Sequence, residues 1–100
     1  MADDVPVVPE VEALISRGNA AKALLDNPDF HAVVNDLTNF HLSAMVASPP
    51  GEKGKDARDY HHLLQHALTE IVNTLKGYAD TGENMLRAVE AKAEDLFSNY

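Results

Sequence analysis

The chain has 100 residues, with 16 Asp plus Glu against 8 Lys plus Arg, five His and no Cys, for a formal net charge of -8 at pH 7. One hundred residues is one domain's worth, which excludes a two-domain enzyme with a deep interdomain cleft. The missing cysteine excludes a disulfide framework, a thiolate zinc site and a cysteine nucleophile. The acidic balance speaks against broad binding to nucleic acid or anionic membrane, which needs clustered Lys and Arg.

Ala and Leu supply 25 of the 100 residues, Val and Ile only 11. Ala and Leu favour helices and β-branched residues favour strands, so the expected class is all-α. Residues 1–8 read as an extended arm, because Pro6 and Pro9 forbid a helix before Glu10. The start MADDVPVVP lacks the basic and apolar segments of a signal peptide. No run approaches the roughly 18 apolar residues of a membrane span.

A first helix is predicted over Pro9–Leu25. Proline suits the first helical position, and Glu10 and Glu12 meet the positive end of the helix dipole. Val11, Leu14, Ile15, Ala21, Leu24 and Leu25 form its apolar stripe, on which Gly18 also falls. That glycine either permits close packing or splits the segment in two. A second helix is predicted over Pro28–Ala47, with Asn27 as N-cap. Phe30, Val33, Val34, Leu37, His41, Ala44 and Met45 follow helical spacing there.

Two prolines and two glycines within 48–55 predict a loop. The third helix is predicted over 56–97, about 60 Å at 1.5 Å per residue. Leu64, Leu68, Ile71, Leu75, Tyr78, Gly82, Met85, Val89, Lys92 and Leu96 recur in alternating steps of four and three, a coiled-coil rhythm. The expected architecture is a helical hairpin with a long C-terminal helix, preceded by a short N-terminal helix and the arm. Residues 9–100 then form a single helical domain. Phe30, Val34, Leu37 and Met45 should face Leu64, Leu68, Ile71 and Leu75. The helix is open to a kink or break between Gly77 and Gly82.

The chemistry-bearing residues suggest no reaction. His62 and His66 stand one helical turn apart, and His41 is the nearest candidate for a third ligand. No His-Glu-x-x-His pattern is present, and a catalytic zinc takes three protein ligands, so no metal or cofactor is expected. Glu90 with Glu94 and Asp56 with Asp59 read as solvated helix faces, not as a convergent acid/base pair. Gly-x-Ser-x-Gly and the phosphate-binding Gly-x-x-x-x-Gly-Lys loop are absent. The candidate residues are therefore interfacial. Met85, Leu86, Val89, Leu96 and Phe97 extend beyond what the second helix can cover, and Lys53 and Lys55 offer a basic contact.

One stretch has a familiar order: Leu24-Leu25-Asp26-Asn27-Pro28-Asp29-Phe30, then Ser48-Pro49-Pro50, then Ala57-Arg58-Asp59-Tyr60-His61-His62-Leu63-Leu64, then Ala67-Leu68-Thr69-Glu70-Ile71 and Leu75. Over residues 24–82 this resembles short helical proteins encoded among the virion-assembly genes of tailed bacteriophages. The resemblance implies a non-enzymatic virion structural or assembly protein, put together in the host cytoplasm. Its partners would be the portal, connector or capsid, or further copies of itself, with no nucleic acid, membrane or small-molecule substrate. Three other readings compete: an acidic helical regulatory binder or inhibitor, a filament or secretion subunit, and a small enzyme or metal protein. Acids scattered among Lys76, Arg87 and Lys92 do not form the dense stripe of a DNA mimic, and the extra helix before the hairpin is foreign to hairpin filament subunits.

Overall fold

The structure, a computed structural model, describes the backbone of residues 9–98 and the side chains of 9–96. The expected arm at 1–8 lies outside the described residues. Three helices make up the all-α fold: α1 (Pro9–Leu25), α2 (Pro28–Ala47) and α3 (Glu52–Ser98). Contacts group the chain into two compact units, Met1–Leu24 with Leu75–Tyr100, and Leu25–Thr74.

Local chemistry sets the bounds of α2. Asn27 holds extended dihedrals, and its Oδ1 accepts from the Asp29 and Phe30 amides at 2.8 and 3.1 Å. Two of the amides that lack intrahelical partners are thereby satisfied. At the other end the Ser48 amide donates to the Met45 carbonyl, and Ser48 Oγ donates to the Ala44 carbonyl at 2.7 Å.

The loop is shorter than expected, and α3 starts at Glu52, four residues ahead of position 56. Gly51 reverses the chain at φ +73°, a conformation costly for side chains with a Cβ. Gly54 then enters the helix where a Cβ would stand 1.8 Å from the Pro49 carbonyl oxygen. Arg58, one turn further on, donates to the carbonyls of both Pro49 and Gly51. A glycine that reads as a loop residue is thus the close-contact point that lets α3 begin early.

In the Leu25–Thr74 unit, α2 runs antiparallel to the first part of α3, as the pairs Thr38–Gln65 and His41–His61 show. Phe30, Val34 and Met45 are half-buried, as are Leu64 and Leu68. Leu37 and Ile71, expected in this seam, are instead 42% and 56% exposed. Val72 takes the inward place of Ile71, and in the other unit Ala93 takes that of Lys92. Of the ten positions in the predicted seam, Leu64, Leu68, Leu75, Tyr78, Gly82, Met85, Val89 and Leu96 are buried or half-buried, and Ile71 and Lys92 are exposed.

In the other unit α1 packs on the second part of α3 through glycine. Gly18 is buried against Gly82: a Cβ on Gly18 would lie 2.7 Å from the Gly82 Cα and 2.8 Å from the Tyr78 carbonyl oxygen. Ala21 is buried one turn along α1. Arg17 caps the contact, its guanidinium carbon 4.0 Å from the centre of the Tyr78 ring. Close packing therefore decides both glycines. Neither α1 at Gly18 nor α3 between Gly77 and Gly82 is broken.

Candidate association surface

The hairpin of α2 and α3 carries a polar layer within its seam. Thr38 and His41 from α2 meet His61 and Gln65 from α3. His41 is 8% exposed, and its Nδ1 lies 3.0 Å from Nδ1 of His61. One ring nitrogen must donate and the other accept, so the two imidazoles share one proton across the contact. Phe40 sets its ring edge-on to both, at centroid distances of 5.4 and 5.8 Å, and Tyr60 packs edge-on to His61 at 5.2 Å. One turn away, Gln65 Nε2 donates to Thr38 Oγ1 at 3.4 Å. Gln65 Oε1 is buried without a hydrogen bond.

Beside this layer the hairpin presents a second apolar stripe. Successive residues of a helix are turned by about 100°. Val33, Leu37 and Phe40 therefore fall on one side of α2, displaced from its seam, and Tyr60, Ala67 and Ile71 fall on one side of α3. In an antiparallel pair, stripes displaced in the same sense from the seam emerge on the same face. Phe40 and Tyr60, both packed on His61, join the two stripes there. Val33, Phe40, Tyr60 and Ile71 are each between 56% and 60% exposed. Leu63 stands further round α3 and is also exposed.

The residues singled out from the sequence are distributed differently. Met85, Val89 and Leu96 are half-buried in the unit that contains α1, Leu86 remains exposed, and the Phe97 side chain lies outside the described residues. Lys53 is exposed on the first turn of α3. Lys55 is committed to Asp59, with Nζ 2.7 Å from Oδ2. That hydrogen bond, and then the lysine charge, hold the Asp59 carboxyl below the usual carboxylate value. The stripe of Val33, Phe40, Tyr60 and Ile71 was hidden in the sequence because Leu37 fits the helical spacing of α2, and Ile71 the heptad of α3, equally well.

His62 and His66 line an open depression on α3 with Asp59 and Leu63, away from His41. His66 Nε2 lies 3.5 Å from Glu70 Oε1, both side chains well exposed. Among the described residues, no three His, Asp or Glu side chains are grouped to hold a metal ion. No helix there is long and apolar enough to cross a membrane. No protein-family model, curated protein or solved structure matches the chain.

Proposed function

We propose that this chain is a non-enzymatic structural or assembly protein of a bacteriophage particle, acting by helix-mediated association. The exposed apolar face of the α2–α3 hairpin carries this reading. Single exposed apolar side chains are ordinary, but a continuous stripe across two helices is the usual mark of an association surface. The setting in a particle rests on the resemblance of residues 24–82 to virion-assembly proteins. Mass spectrometry of gradient-purified particles and of their assembly intermediates tests it. The protein is expected in at least one of them at a fixed ratio to the portal or capsid protein, and its absence from all of them refutes the reading.

A further inference from the structure

We propose that the α2–α3 apolar face receives a basic amphipathic helix of a partner protein, its apolar side on Val33, Phe40, Tyr60 and Ile71 and its Lys and Arg over the acids at the rims. The inference rests on the reading of that face as an association surface and names the chemistry of what covers it.

The backbone fixes the kind of element. Every residue of the face lies inside α2 or α3, where amides and carbonyls are bonded along the helix. The face therefore offers a partner no sheet edge and no free main-chain group. A partner backbone laid on it loses water, so it must carry its own hydrogen bonds, which a helix does and an extended strand does not. Two antiparallel helices also present a shallow groove between them. A third helix packs into such a groove through apolar side chains at i, i+3, i+4 and i+7. Val33 to Phe40 spans about two turns of α2, and Tyr60 to Ile71 about three turns of α3, roughly 10 and 16 Å along the axes. A partner helix of about three turns covers that length.

Charge fixes the sign of the partner. Asp29 stands four residues before Val33 and Asp36 four before Phe40, which puts both acids along the edge of the α2 stripe. On α3, Asp56 stands four residues before Tyr60 and Glu70 three after Ala67. All four acids are exposed. There is no Lys or Arg in α2, and none in α3 between Asp59 and Leu75. Lys53, Lys55 and Arg58 are gathered at the hairpin turn, where Lys55 is tied to Asp59 and Arg58 to the carbonyls of Pro49 and Gly51. Away from the turn, an incoming basic side chain meets carboxylates at both edges of the face, and an incoming acid meets like charge. The net charge of -8 acts in the same direction at longer range: it repels a second copy and steers a basic partner.

Fluorescence anisotropy with the full chain and two synthetic peptides of about 20 residues, long enough to form a helix, tests the proposal. Both peptides carry Leu at i, i+3, i+4 and i+7. One has Lys and the other Glu along the borders of that stripe. At 0.1 M salt the Lys peptide should bind about tenfold or more tightly than the Glu peptide. Val33→Ser and Ile71→Ser should each weaken it by about fivefold or more, since each removes an apolar contact from the face. Asp36→Lys should weaken it by about threefold or more. Glu90→Lys, the same charge change on the later part of α3, should leave it unchanged. Helical circular dichroism, retained in all four variants, shows that the chain still folds. Equal binding of the two peptides overturns the proposal, as does Lys-peptide binding indifferent to the stripe substitutions or weakened equally by Asp36→Lys and Glu90→Lys. A wild-type chain that sediments as a dimer and becomes a monomer on Ile71→Ser also overturns it, because a second copy then holds the face.

Incorporation into particles is read separately. If Val33→Ser and Ile71→Ser lose incorporation but the Lys peptide is not preferred, the basic helix is refuted and the assembly reading stands. If the Lys peptide is held at the face but the chain enters no particle or assembly intermediate, the assembly reading is refuted and the partner chemistry stands.

Discussion

Glycine decides much at the residue scale, and Gly77 and Gly18 behave differently for reasons of contact alone. Gly77 has nothing within 4 Å of the place a Cβ would take. Gly77→Ala should therefore stabilise the chain by about 0.5–1 kcal/mol, the helix-propensity difference. Gly18→Ala improves propensity equally, but sets a methyl 2.7 Å from the Gly82 Cα and 2.8 Å from the Tyr78 carbonyl oxygen. Backbone cannot swing aside as a flexible side chain can, so overpacking of about 1–3 kcal/mol outweighs the gain. Urea denaturation should give opposite signs for the two variants; the same sign for both would mean that the glycine contact does not form. The histidine pair allows a comparable contrast. His61→Ala leaves the buried His41 Nδ1 without its partner, at a cost of about 1–3 kcal/mol. Replacing both His41 and His61 by Leu removes donor and acceptor together, and should fall within about 1 kcal/mol of the wild type. A double variant clearly worse than His61→Ala would show that the pair contributes more than a satisfied contact.

At the scale of elements, the signals that could be read from sequence were the local ones. Pro9 at the head of α1, and Asn27-Pro28 and Ser48 around α2, act within a few residues of themselves, and both helices span the ranges predicted from them. The onset of α3 was illegible because it depends on a contact across the turn. Gly54 and Arg58 act through the carbonyls of Pro49 and Gly51, and a Pro/Gly-rich string does not announce which glycine turns the chain and which lets backbones touch. The seam was legible except at Ile71 and Lys92. Steps of three and four were evident, but a heptad and the natural helix period differ by only about 20° per seven residues. Val72 holds the inward place next to Ile71, while the seam positions on either side of it stay inward, and that single exchange concealed the apolar face. The turn is open to direct test. Arg58→Ala removes the donations to the Pro49 and Gly51 carbonyls, of which Gly51 keeps the Gly54 amide, and should cost about 1–2 kcal/mol. Amide exchange should quicken first at positions 52–56. Unchanged protection there would place the start of α3 under some other control.

At the scale of the whole molecule, charge and apolar surface pull in opposite directions, and salt separates them. With 16 acids against 8 bases, the chain repels itself when folded and repels any second copy. Among the ion pairs that oppose this, Lys55–Asp59 and Arg87–Glu83 join residues four apart on one helix and are well exposed. Such exposed pairs contribute little and are themselves screened by salt. Raising ionic strength from 0.01 to 0.1 M shortens the screening length from about 30 Å to about 10 Å. That weakens repulsion between distant carboxylates far more than attraction between atoms in contact, and it leaves apolar burial intact. The melting temperature should therefore rise with sodium chloride over this range. If the apolar face closes on a second copy, the rise should be steeper at high protein concentration, because association of folded chains stabilises them by mass action. Scanning fluorimetry or calorimetry at two protein concentrations and several salt concentrations measures both effects. A melting temperature that falls as salt is added would show that ion pairing outweighs the net repulsion. A rise with no dependence on protein concentration would assign the whole salt effect to repulsion within one chain.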